Sequence, residues 1–206
     1  MQDNEWLLFL SQLPASPSSL RVLVWRKLRA AGAAGLQNGV WVLPNAAKQK
    51  RFLEELLMTV RRQGGSGQVF VVHALNRAVQ EDILSRFRAD RDHEYEEVLE
   101  QCQAFLAEIE KEAKRQKFSF AELEENEQSF QRLKDWIAKI QKRDFFQAEK
   151  AKTAQTALED CWKALQGFAD QVYIQEGIET STDDDFLMED ESTTQQENLD
   201  DAESTQ

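Results

Sequence analysis

Arg21, Trp25 and Arg29 fall at positions i, i+4 and i+8 of the segment RVLVWRKLRA, with Arg26 and Lys27 alongside. On a helix that spacing lines the three side chains up in one stripe, so that guanidinium groups flank an indole. Cations placed this way neutralise phosphates, and an indole between them packs on sugar or base, which is the chemistry of nucleic-acid binding. Arg21, Trp25, Arg26 and Arg29 are therefore the candidate nucleic-acid-binding residues. A plainer role is open to the same residues: the indole covers neighbouring structure and the arginines solvate the helix. Lys48, Lys50, Arg51, Arg61 and Arg62 add positive charge further along without a specific pattern.

Catalytic chemistry finds no comparable constellation. His73 lies in FVVHAL and His93 in DRDHEYEE, neither with Cys or His at ligand spacing, so both read as structural or solvated. Gly64-Gly65-Ser66-Gly67 lacks the lysine of a phosphate-binding loop and reads as a flexible connection. Cys102 and Cys161 sit at seam-like positions of helical patterns, where buried, inert thiols are the rule. Glu122, Glu124, Glu125 and Glu127 read as a solvated face. The expectation is a protein with no catalytic, cofactor or metal site, and not an enzyme.

The elements that must position the basic stripe can be read from periodicity and breakers. Trp6–Leu13 is an apolar run of strand length ended by Pro14. Ser16-Pro17 predicts a helix cap and first helical residue, followed by Leu20, Val24, Leu28 and Ala31 at helical spacing up to Gly32. Ala33–Leu36 and Val40–Leu43 flank Asn38-Gly39, a strong hairpin signal. Asn45 is placed to cap a second helix carrying Phe52, Leu56 and Val60, which Gly64-Gly65 ends. Gln68–Leu75 is a closing strand. Strand, helix, strand, strand, helix, strand is the βαββαβ order of a ferredoxin-like sheet with both helices on one face.

From residue 77 the pattern is helical. Tyr95, Val98, Cys102, Phe105 and Ile109 form a coiled-coil-like seam on a helix that exceeds 30 residues and can project from the sheet. Ser119 and Glu122 form a capping box, with Phe118 and Leu123 as its staple, opening a helix whose seam is Leu123, Phe130, Leu133, Ile137 and Ile140. Asp144 with Gln147 predicts another start, and Leu158, Trp162, Leu165, Phe168 and Val172 make a third stripe. Three stripes with short joints bury one another as an antiparallel bundle. The predicted fold class is α+β: a ferredoxin-like domain over 1–76, an antiparallel bundle with long helices over 77–175, and a disordered acidic tail over 176–206.

Charge follows the same division. Residues 1–89 hold 12 Lys/Arg against 6 Asp/Glu, and residues 90–175 hold 13 against 19. Residues 176–206 hold twelve acids and neither Lys nor Arg, so the tail accounts for the whole net charge of -12. Such a segment lacks the apolar content to offset ordering entropy; it can also fold back on the cationic unit and compete with an anionic ligand. The N-terminus MQDNEWLLFLSQLP carries no basic region ahead of a long apolar one, and no apolar run approaches the roughly 20 residues of a bilayer span. The expectation is a cytoplasmic protein without a membrane partner.

Four segments together carry a resemblance: RVLVWRKLRAAGAAGLQNGVWVLP, LSRFRADRDHEYEEVLEQC, KFSFAELEENEQSFQRLKDWIAKIQKRDFF and DQVYIQEG. In this order they resemble the ChrB N-terminal domain family, part of bacterial regulators of chromate-resistance operons. The WVLP hairpin is also similar, at fold level, to the middle domain of the phenylacetate-pathway repressor PaaX and to small CRISPR adaptation nucleases. The resemblance implies transcriptional control, with promoter DNA as the partner, and it carries DNA contact to Arg21, Trp25, Arg26 and Arg29. ChrB proteins usually continue into a C-terminal domain credited with the chromate response; an acidic stretch stands there in this chain, so a separate chromate-sensing protein is the expected partner. The CRISPR nucleases hold a metal with an acidic residue near the end of the first strand, where this chain has Phe9-Leu10-Ser11-Gln12-Leu13. A homodimer, through the sheet edge or the long helices, would match a palindromic site. The competing expectations are a helical protein-interaction module without DNA binding, and a chromate-reducing enzyme that needs a cofactor or redox thiol.

Overall fold

The computed structural model describes residues 5–16 and 18–177. The elements in chain order are β1 (Trp6–Gln12), α1 (Ser19–Ala30), β2 (Ala34–Gln37), β3 (Val40–Pro44), α2 (Ala47–Arg62), β4 (Ser66–Val72), α3 (Arg77–Lys114), α4 (Phe120–Gln141) and α5 (Ala151–Gln175). The four strands pair antiparallel in the order β2-β3-β1-β4, the ferredoxin-like arrangement that the sequence predicts. Alternation along β1 decides which face each side chain takes. Leu7 and Phe9 meet Leu20, Val24 and Leu28 of α1 and Leu53, Leu56 and Val60 of α2. Trp6 points to the opposite face, where it joins Ala34, Val42, Ile83 and Phe87, so the opening turns of α3 complete the sheet's second core. Phe145 and Phe146 from the α4–α5 joint close that core around the Trp6–Phe87 stack, whose ring centroids lie 5.6 Å apart.

The helical half is a three-helix bundle. Tyr95, Val98, Cys102, Phe105 and Ile109 of α3, Leu123, Leu133, Ile137 and Ile140 of α4, and Leu158, Cys161, Leu165, Phe168 and Val172 of α5 share one core. α3 runs for 38 residues, its first part on the sheet and the rest in the bundle, so packing crosses the sequence division at 76/77. One polar pair lies inside the bundle: Asn126 Nδ2 donates to Glu112 Oε2 at 2.7 Å. Burial pushes the Glu112 carboxyl above the usual carboxylate range against the opposing effect of the Asn126 bond.

Helix starts are where the structure departs from the sequence reading. α1 begins at Ser19 behind Ser18, whose side chain makes no capping bond; Ser16 stands outside the helix, and Pro17 lies outside the described residues. Asn45 does not cap α2, which starts at Ala47 behind an extended Ala46. Its amide is used instead to tie β3 to β1, donating to Glu5 Oε2 at 2.7 Å, while the Asn45 backbone N–H donates to the Glu5 carbonyl at 3.1 Å. Asp144 and Gln147 do not start α5. The Asp144 carboxylate accepts from Ala148 N in a turn, Gln147 sits at φ 51°, and the helix begins at Ala151. Asp92 of α3 accepts from Lys150 N at 2.8 Å and so satisfies a donor at that terminus from another helix. The Ser119 cap is present, its Oγ accepting from Glu122 N. The expectation of a disordered tail concerns residues that lie, from 178 onward, outside the described part.

Two glycines make the joints possible. Gly39 at φ +75° turns the β2–β3 hairpin directly against the Ser11 carbonyl, where a side chain would collide. Gly32 at φ +78° ends α1 against the α4–α5 joint; a Cβ there would lie 2.7 Å from Arg143 Cβ.

Candidate nucleic-acid interface

α1 buries Leu20, Val24 and Leu28 under the sheet, which leaves Arg21, Trp25 and Arg26 outside. Trp25 is 54% exposed, so it does not cover the sheet or the bundle in the manner of a core indole. Among the described residues Arg21 and Arg26 make no ion pair. Arg29 is different. Its Nη1 lies 2.8 Å from Asp90 Oδ2, and its Nη2 3.8 Å from Glu94 Oε1, both on α3. The stripe predicted from spacing therefore forms, but its last guanidinium is spent on holding α1 to α3.

Glu94 is the centre of that joint. It also takes Arg143 of the α4–α5 connection through bonds of 2.6 and 3.0 Å, and Arg91 Nη2 lies 2.9 Å from its other oxygen. Arg91 is only 2% exposed, and none of its three guanidinium nitrogens has a well-aligned hydrogen bond. Burial pulls its pKa down from the ordinary arginine value and Glu94 opposes the shift; an arginine still keeps its charge. Beside it, Tyr95 O–H donates to Asp144 at 3.4 Å, and burial with the Asp144 charge holds the phenol at about 12.

Around Trp25 and Arg29 the surface folds into a cleft of about 350 Å³, completed by Gly35, Trp41, Arg86, Ala89 and Asp90. Trp41 was not singled out by the sequence. It is opposite Gly35 in the β2–β3 register, and its indole lies against that residue. Arg86 Nε pairs with Asp82 at 3.0 Å and its Nη1 reaches the Gly35 carbonyl at 3.4 Å. Two indoles and two guanidinium groups thus border one groove, with Arg21 and Arg26 outside it on the same helix. That surface can stack a planar group and neutralise nearby anions.

The other chemical candidates have ordinary surroundings. His73 and His93 are exposed, each 3.5 Å from a glutamate oxygen. Cys102 and Cys161 face one another between α3 and α5, Cys161 Sγ lying 3.6 Å from the Cys102 carbonyl. The Cys102 contact and burial push the Cys161 thiol up, away from the reactive thiolate. Among the described residues no three His, Cys, Asp or Glu side chains gather in a way that could hold a metal ion, and no helix is long and apolar enough to cross a membrane.

The chain is 30% identical to Protein ChrB of Cupriavidus metallidurans over 95 residues. That alignment covers 46% of this chain and 29% of the relative, so the relative is much longer than the shared part. No solved structure matches. The family model described as Protein ChrB, N-terminal, matches residues 21–178, which takes in α1 from Arg21 and everything through α5, and the chain belongs to that family.

Proposed function

We propose that this chain is the DNA-binding part of a chromate-resistance regulator, contacting the duplex through α1. The observation that carries the reading is the exposed Trp25 flanked by Arg21 and Arg26, cations without an acidic partner among the described residues. Family membership associates the chain with chromate resistance. In this reading Arg21 and Arg26 neutralise phosphates, Trp25 packs on sugar or base, and Arg29 is a positioning residue that sets the angle of α1 against α3. Binding of this kind is dominated by counterion release and weakens steeply with salt.

The test is a salt titration of the full chain on DNA from upstream of its own gene and on random duplex, with Trp25→Ala in parallel. The reading predicts preference for the upstream DNA and a loss of about tenfold or more for Trp25→Ala. Equal, weak binding to both duplexes would overturn it. A protein-interaction role has one observation in its favour: Phe120 and Ile174 are exposed near one end of the bundle, where the Phe120 and Tyr173 rings lie 5.9 Å apart. Failure on DNA would direct attention to that end.

A further inference from the structure

The two edges of the sheet are built differently. β2 is four residues long and carries a register irregularity between Gly35 and Gln37. Shortness and a bulge are means by which edge strands avoid pairing with other chains. β4 has seven residues in unbroken register with β1, and its sequence, SGQVFVV, contains no charge and no proline. Its apolar run reads as an interior strand, yet not one of the seven residues is buried. Phe70 is 43% and Val71 51% exposed.

The apolar surface does not stop at the edge. The register puts Phe70 beside Leu8, and Leu8 beside Val42, on the face that α3 covers. One row further from α3, Leu10 and Val40 are paired and only half buried. An uncharged edge strand in unbroken register, with an apolar face continuing inward, is suited to another strand of the same kind.

We propose that β4 pairs antiparallel with β4 of a second copy of this chain, joining two four-stranded sheets into one of eight strands. A two-fold axis at Phe70 puts Phe70 opposite its own equivalent and Val69 opposite Val71, so no like charges meet along the strand. The ends of that pairing are complementary. Gly67, whose carbonyl accepts from Arg61 at 3.5 Å, comes opposite His73 of the other copy, which sits 3.5 Å from Glu5. Each end thus brings the arginine of one copy toward the carboxylate of the other, which makes the uncharged strand with its opposite-charge flanks complementary to itself.

The experiment is sedimentation equilibrium of the full chain without DNA, which keeps its outcome separate from the DNA-binding reading. The proposal predicts twice the 23.8 kDa chain mass. Phe70→Lys places two like charges across the axis and should weaken the dimer by about 100-fold or more. Phe70→Asp should do the same, and mixing the two variants should restore a dimer, which only a self-paired strand centred near Phe70 would do. Circular dichroism and the thermal midpoint confirm that the variants fold. A monomeric parent chain overturns the proposal, as does a dimer indifferent to both substitutions. If the β4 amides that point away from β1 are protected from hydrogen exchange in a monomer, the edge is held by the chain's own residues and the proposal is again wrong.

Discussion

On the bundle, three lysines are answered by acids of their own helix: Lys111 by Glu108, Lys114 by Glu110 and Lys163 by Asp160, each three or four residues away. On α1, Arg21 and Arg26 have no such answer among the described residues, and the one arginine that does, Arg29, is paired with α3. The helical half carries more charges than the sheet half but neutralises many of them locally. The sheet half is cationic because it holds 12 Lys/Arg against 6 Asp/Glu, and Arg21 and Arg26 are among the cations left without an acidic partner in the described residues. Density of charge is therefore a poor guide to an electrostatic surface, and the absence of a partner is a better one.

Substitutions can test whether these two halves are independent in stability as well as in charge. Trp6→Ala should have the largest effect, about 3–5 kcal/mol in urea unfolding, because Trp6 is fully buried where β1 meets α3 and the α4–α5 joint. If the loss appears in one cooperative transition, the halves fold as a unit; two separated transitions would make them independent. Glu94→Ala comes next, at about 3 kcal/mol, since it leaves the buried Arg91 without its counter-charge and frees Arg143, while Arg29 keeps Asp90.

A smaller, pH-dependent effect belongs to Glu112. Its folded pKa is raised, so below that value the folded state binds a proton that the unfolded chain releases down to the ordinary carboxylate range. The group costs stability at neutral pH, and the cost disappears as pH falls. Glu112→Gln should therefore be more stable than the parent at pH 7, with the advantage shrinking toward acid; an advantage independent of pH would refute this account. Lys114→Ala removes an exposed pair with Glu110 and should leave the unfolding midpoint where it was.

The strand order and three bundle seams were legible in the sequence because periodicity reports which side of an element is buried, and Trp6, Leu56, Tyr95 and Val172 obey it. What could not be read were relations across the chain. Asp92 satisfies the start of α5 from another helix, Asn45 serves β1 rather than α2, and Phe145 and Phe146 complete a core begun at Trp6. The basic stripe was visible as spacing. Its division into free Arg21 and Arg26 and committed Arg29 was not, because Asp90 and Glu94 lie some sixty residues away in the sequence.

That division is tested most directly by comparing Arg21→Ala/Arg26→Ala with Arg29→Ala in the salt dependence of binding to upstream DNA. The double variant should flatten the slope of log K against log salt by about two, one for each lost phosphate contact. Arg29→Ala should leave the slope unchanged while lowering affinity, since it moves the helix and removes no phosphate contact. A double variant with the parent's slope would contradict the claim that α1 meets DNA through its unpaired arginines.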